Sequence, residues 1–251
     1  MNQKANAITT SGFIGIAAYI CTDIVHEVIG HGGAALLAGI DISLLSSVYF
    51  KTNPGNYLVS LSGPLANLIF GIVLLTILSF KPSKTNLALL FLTTLMAYNL
   101  FWFSGTIVQS ALSKTGDWTH AIARLTSDDW VKPLLLIFGI LSYWLSIKLS
   151  SNRIANLNFG FLQISLRQIM LYAFLFAAVS AYVAGLFYTP DRLGASKEGL
   201  MEMVASLPIL FLTKMKQKET IQATAKTPWV FYISVFTGYI LFCFLLGKGI
   251  Y

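Results

Sequence analysis

The stretch GFIGIAAYICTDIVHEVIGHGGAALLAGI, Gly12–Ile40, decides the fold. It is apolar for longer than the roughly 20 residues a membrane-spanning helix needs. It also carries Asp23, His26, Glu27 and His31 within one short segment. Ionisable groups inside a span are costly, and they mark functional sites by default. The competing reading is a polar cluster that bonds one helix to its neighbours, although such bonds add little stability in a membrane.

The rest of the chain agrees with a membrane setting. Of 251 residues, 56% are hydrophobic and 11% charged, and the mean hydropathy is +0.71. An ordinary soluble domain carries about 25% charged residues, and a soluble fold of this length could not bury so much apolar surface. Backbone groups in lipid must bond internally, so the long apolar runs read as helices. After Gly12–Ile40, further spans are expected at about Leu58–Phe80, Asn86–Leu112, Val131–Leu149, Ile169–Tyr188 and Trp229–Leu246. Gly199–Thr213 is apolar but short, and Glu202 and Pro208 interrupt it, so it crosses, re-enters or lies on the interface. Val48–Tyr49–Phe50 followed by Asn53–Pro54–Gly55–Asn56 reads as a strand-like piece and a turn. Ser113–Asp129 is polar, with a short helix expected at Trp118–Leu125, and 152–168 reads as a mixed linker. The expectation is an all-α polytopic membrane protein of six or seven transmembrane helices, with a short β-hairpin-like insertion between the first two core helices. The whole chain forms a single membrane domain: residues 12–130 as the core and 131–251 as additional helices.

The net charge of +7 resides mostly in short loops between apolar runs, where topology-setting charges belong. No basic stripe or aromatic platform suggests a nucleic-acid partner; the expected partner is the bilayer. Lys81–Lys84 closes the second span, and Lys214–Lys226 reads as a topology signal or a cytosolic contact. Seven spans with the N-terminus inside place ten Lys and Arg inside and seven outside, and six spans with it outside likewise place ten inside and seven outside. Cys21 and Cys243 lie in apolar runs and behave as small hydrophobes. The N-terminal run lacks a small-residue cleavage site and reads as a retained span rather than a signal peptide. Trp118, Trp130 and Trp229 sit at span ends, as interfacial tryptophans do.

Two of the three histidines, His26 and His31, flank Glu27 on the first span. A His with an adjacent Glu and a second His on one helix is the pattern of a zinc hydrolase, in which imidazoles hold the metal and the carboxylate takes a proton from its water. The usual spacing is four residues, on one helical face. Here it is five, and at about 100° per residue five steps leave the two side chains about 140° apart. Three resolutions are open. A π-bulge, which Gly30 would ease, absorbs the extra residue. Alternatively, Glu27 and His31, four apart, are the ligands and His26 stands behind them. In the third, the site is degenerate and holds no catalytic metal. Two histidines sharing one zinc need ring nitrogens about 3–3.5 Å apart. Asp23, one turn before His26, is placed to accept that ring's second N–H, or else to pair with a polar group of another span.

His26-Glu27 with Gly30-His31-Gly32-Gly33, and then Ser60-Leu61-Ser62-Gly63-Pro64-Leu65-Ala66-Asn67-Leu68, resemble the first two core helices of the site-2 protease family of intramembrane zinc metallopeptidases. That family places a short β-hairpin region between these two helices, where Val48–Asn56 lies here. The resemblance covers about residues 12–125. It implies zinc as cofactor, Glu27 as catalytic base, His26 and His31 as ligands, and Asn67 near the substrate strand or the developing oxyanion. It also implies an aspartate ligand from the third core helix, in a compact Asn–Pro–Asp-Gly stretch that this chain lacks. Asn99 sits where the family's Asn falls, and the next acid is Asp117, eighteen residues on. Asp117 is the expected third ligand, with His120 as backup. Asp117 has a plainer role as the N-cap of the following helix, His120 as an interfacial side chain, and Asn67 as a helix-to-helix hydrogen bond.

Two function classes follow. The first is a zinc-dependent endopeptidase cutting membrane-protein or peptide substrates, expected in a bacterial cell membrane. The second is a catalytically inactive relative acting as a membrane scaffold, binding protein or transport component.

Overall fold

The computed structural model describes residues 2–80, 86–113, 116–122, 130–154, 157, 162, 164–212 and 227–251. The Lys81–Lys84 stretch, part of the 152–168 linker, the far end of the expected Trp118–Leu125 helix and the Lys214–Lys226 cluster lie outside them. Six helices are long and apolar enough to cross a membrane: α1 (Gln3–Leu37), α2 (Tyr57–Ser79), α3 (Leu87–Ser113), α5 (Val131–Ile154), α6 (Leu166–Gly185) and α8 (Trp229–Gly247). Two short helices, α4 (Asp117–Ile122) and α7 (Arg192–Val204), complete the helical set among the described residues. The chain is a multi-pass membrane protein with a two-stranded sheet inserted after α1.

Helix α1 begins nine residues before the expected start, at Gln3, where the Asn2 side chain accepts from the Ala5 N–H at 2.8 Å. Asn6, Thr10 and Ser11 of this extension are hydrogen-bonded within the protein. Thr10 bonds to Thr227 and Tyr232 at 2.7 and 2.8 Å, so the bundle satisfies groups that hydropathy alone assigns to water. Asn56 caps α2 by accepting from the N–H groups of Leu58 and Val59. Ser165 and Gln168 form a reciprocal capping box at the start of α6.

The hairpin is built differently from the expectation. Strand β1 (Asp41–Leu45) pairs antiparallel with β2 (Phe50–Asn53), and Ser46 closes the turn by bonding to both the N–H and the carbonyl of Tyr49. Val48 and Tyr49 therefore belong to the turn rather than to the strand. The outer edge of β1 is taken by the end of the chain, where Leu45 and Ile250 exchange two backbone bonds of 2.9 and 2.8 Å.

Helix α3 is the central element, and α1 packs against α3 and α6. Tyr19, Tyr98, Phe101, Ile14 and Met170 fill the interior. The outer faces of α2 and α5 carry exposed Ile69, Ile77, Phe138 and Leu141 in the positions where lipid would lie. Between α6 and α8 the chain makes one more passage. Tyr188, just after α6, packs edge-on against Tyr49 of the hairpin turn with ring centroids 5.2 Å apart, whereas Thr227 bonds to Thr10 near the far end of α1. The return is made by α7, which runs antiparallel to α6 with Gly199 against the Ala181 carbonyl, and by a 3-10 turn at Leu207–Phe211 next to Pro208. Of the readings open for Gly199–Thr213, crossing fits, but by a broken path rather than a regular span.

Candidate metal centre

The five-residue spacing of the histidines is absorbed by the backbone. Ile24–Gly32 of α1 is π-helical, so the residue five positions on, rather than four, lies one turn away. His26 Nε2 and His31 Nε2 come within 3.2 Å of each other, inside the window for two ligands of one zinc. Gly30 contributes mainly space: a Cβ there would lie 2.6 Å from Gly63 Cα and 2.8 Å from the Ser62 carbonyl oxygen. The missing side chain lets α1 and α2 touch at the level of the site.

Asp117, at the start of α4, joins the two rings. Its Oδ2 lies 3.2 Å from His26 Nε2 and its Oδ1 3.5 Å from His31 Nε2. Burial pushes its carboxyl up, but His31 and His26 beside it outweigh burial and hold it well below the usual carboxylate range. His26, Glu27 and His31 are 5%, 4% and 2% exposed, and their ligand atoms lie within 4.8 Å of one another, so this group could hold a metal ion.

Hydrogen bonds fix which ring nitrogens face inward. His31 Nδ1 lies 2.6 Å from the Val59 carbonyl oxygen, which only accepts, so Nδ1 carries the proton. His26 Nδ1 lies 2.6 Å from Asn67 Oδ1. The Asn67 amide donates to the Thr22 carbonyl and to Asn99 Oδ1, so its oxygen is left to accept from His26. In the neutral form, the one a metal would bind, His26 and His31 both present bare Nε2 lone pairs to one point. Two lone pairs 3.2 Å apart repel, and a carboxylate oxygen beside them adds to the repulsion; a cation at that point removes it. Gly63 leaves room there, because its Cβ would fall 2.6 Å from His31 Cε1 and 2.8 Å from His26 Nε2. The donor set, the protonation pattern and the space fit a metal ion.

Two expected positions differ. Asp23 does not support His26: it is fully buried, and neither carboxylate oxygen has a hydrogen-bond partner among the described residues. Asn67 of α2 fills the place beside the ring's Nδ1. Asn67 turns its amide oxygen to the His26 ring. His120 is exposed at the cavity margin and is not among the converging atoms.

The site opens into a cavity of about 750 Å³. Strand β2 forms one wall, and Phe50 stacks on His31 with centroids 5.2 Å apart. Trp102 of α3 packs edge-on to His26 at 5.9 Å. Glu198 and Glu202 of α7 line the wall contributed by the second half of the chain. Their one-turn spacing was visible in the sequence, but nothing local linked them to the first span. Comparison of the chain with protein-family models, with curated proteins and with solved structures gives no match.

Proposed function

We propose that the chain is a membrane-embedded zinc-dependent endopeptidase, a divergent relative of the site-2 protease family, acting on membrane-protein or peptide substrates of a bacterial cell membrane. The observation that supports this reading is the meeting of His26 Nε2, His31 Nε2 and the Asp117 carboxylate at one point beside Glu27. Three protein ligands of nitrogen and oxygen type, with a position left for water, form the donor set of catalytic zinc. Bound there, zinc would supply a water acidified toward a pKa of about 7 and a Lewis acid for the scissile carbonyl.

The chain's own residues do the rest. Glu27 Oε2 has no hydrogen-bond partner among the described residues. The Glu27 carboxylate takes a proton from the attacking water as the new C–O bond forms, then returns it to the amide nitrogen as the C–N bond breaks. Strand β2 offers an edge along the cavity to which an extended substrate can add by backbone hydrogen bonds, since β1 is already paired with Ile250. Asn67 and the Val59 carbonyl hold the rings against rotation.

A second reading, an ion- or solute-conducting relative without peptidase activity, draws on Asp23, a fully buried carboxylate with no partner among the described residues. Metal analysis of the purified chain, together with Glu27→Gln, separates the two. The peptidase predicts about one zinc per chain, kept in Glu27→Gln while cleavage falls by about 10²–10⁴-fold. A purified chain that takes up no zinc, or a Glu27→Gln variant that cleaves at the wild-type rate, would remove this mechanism.

A further inference from the structure

The two histidines are held in different ways. His31 is fixed by a main-chain carbonyl, whose chemistry cannot invert. His26 is fixed by a side-chain amide, which presents either an acceptor or a donor depending on how it is turned. With the oxygen toward His26, the ring keeps its proton on Nδ1 and bares Nε2. With the nitrogen toward His26, the ring is driven to carry its proton on Nε2, and that atom can no longer be a ligand. Something must decide which way Asn67 faces.

We propose that Asn99 is the positioning residue that does so, and that it sets the ligand-competent tautomer of His26 through Asn67; the inference rests on the metal-site reading above. The chain of bonds starts from main-chain groups that only accept. Asn99 Nδ2 donates to the Leu95 carbonyl at 2.8 Å and to Thr22 Oγ1 at 3.2 Å. A turned-over Asn99 would set its oxygen against the Leu95 carbonyl, so its Oδ1 faces Asn67. Asn67 Nδ2 then donates to Asn99 Oδ1 at 2.9 Å and, more weakly, to the Thr22 carbonyl at 3.3 Å. A turned-over Asn67 would meet two acceptor oxygens with a third and offer an N–H to the N–H of His26. Asn67, Asn99 and Thr22 are all 0% exposed, so no water competes for these bonds. The relay joins α1, α2 and α3, and the shorter of the two bonds that orient Asn67 is the one from Asn99. A deletion of that acceptor leaves only the 3.3 Å contact to hold the amide.

The test uses the full chain in detergent or lipid discs. Nitrogen-15 NMR of labelled histidines, recorded metal-free at a pH high enough to leave the rings neutral, reports which nitrogen of each ring carries the proton. Zinc affinity is read by competition with a chelator. Wild type should show Nδ1–H at both His26 and His31. Asn99→Ala should move the His26 proton partly or wholly to Nε2, leave His31 unchanged, and weaken zinc binding by about 10- to 100-fold, the usual cost of losing a group that orients a ligand. Asn99→Asp keeps an acceptor facing Asn67, although its second oxygen loses the bond to the Leu95 carbonyl, and should recover the His26 tautomer in the metal-free spectrum. Asn99→Leu, close in volume, serves if Asn99→Ala does not fold, with the same expectation. An unchanged His26 tautomer in the Ala or Leu variant overturns the relay. So does an equal change at both histidines, which would mark general loosening. The tautomer is read without metal, so a wild-type chain that binds no zinc would overturn the metal-site reading and leave the relay to be judged by NMR alone.

Discussion

Gly63 shows how much of the site depends on single atoms. It follows Ser62 on α2, and its absent side chain leaves the space in front of both Nε2 atoms. Gly63→Ala puts a methyl group among the ligand atoms. Overpacking of this kind costs about 1–3 kcal/mol, which corresponds to roughly 5- to 150-fold in metal affinity. The expected outcome is a folded chain whose zinc affinity drops by that factor, measured by chelator competition with circular dichroism as the check on folding. Wild-type affinity in the Ala variant would show that the metal does not sit between the two rings. The sequence made His26, Glu27 and His31 legible because ionisable residues stand out in an apolar run. Asp117 was reachable because no other acid lies nearby on the chain. The role of Gly63 was not legible, since a glycine's function as empty space depends on what a different helix brings against it. Asp23 misled for the complementary reason. Its sequence proximity to His26 was plain, but the ring edge it was expected to meet is served by Asn67, forty-one positions further along the chain.

At the scale of the element, the first span is long and apolar enough to be read directly, and its internal register is not. A five-residue spacing is compatible with a bulge, with different ligands or with no site, and only the packing of α1 on α2 selects the π-helical segment. Ile29 gives a direct test. It lies between Glu27 and His31 on the outside of the bundle, 58% exposed, and fills no interior space. Deleting it brings the histidines four apart, and an ordinary α-helix then puts both on one face. Because a bulge is a one-residue insertion, its removal leaves the flanking turns in place. The Ile29 deletion should therefore keep zinc affinity within about the 10-fold low end of orienting-group losses. Adding an alanine after Ile29 makes the spacing six and should abolish binding. If the deletion loses zinc while the insertion keeps it, the π-helical turn is not what aligns the ligands. The hairpin was half legible. Its position between the first two spans followed from the order of motifs, but β1 was not assigned, although Asp41–Leu44 alternates polar and apolar residues just after the first apolar run. The edge bond to Ile250 is non-local, and the sequence holds no sign of it.

At the scale of the whole molecule, the passage between α6 and α8 determines the topology and the composition of the cavity. Hydropathy leaves Gly199–Thr213 open between crossing, re-entering and lying on the interface, because it is short and Glu202 and Pro208 interrupt it. The bundle accepts the passage: Ala195 and Met203 are buried, and Glu198 and Glu202 face the cavity rather than lipid. Irregular backbone and charge are tolerated at membrane depth where protein or a wet cavity surrounds them. With this passage counted alongside the six spans of the described residues, the crossings would number seven and the two ends would lie on opposite faces. Lys4 and Lys248 are both exposed and mark those faces. In a chain with Cys21 and Cys243 replaced, Lys4→Cys and Lys248→Cys should react with a membrane-impermeant thiol reagent from opposite sides of sealed vesicles. The seven-span charge count, ten basic residues against seven, further assigns the Lys4 side to the interior. Labelling of both positions from the same side would mean that α7 and its 3-10 turn double back. In that case Thr227 could not reach Thr10 while Tyr188 stays on Tyr49, and the wall carrying Glu198 and Glu202 would have to leave the cavity.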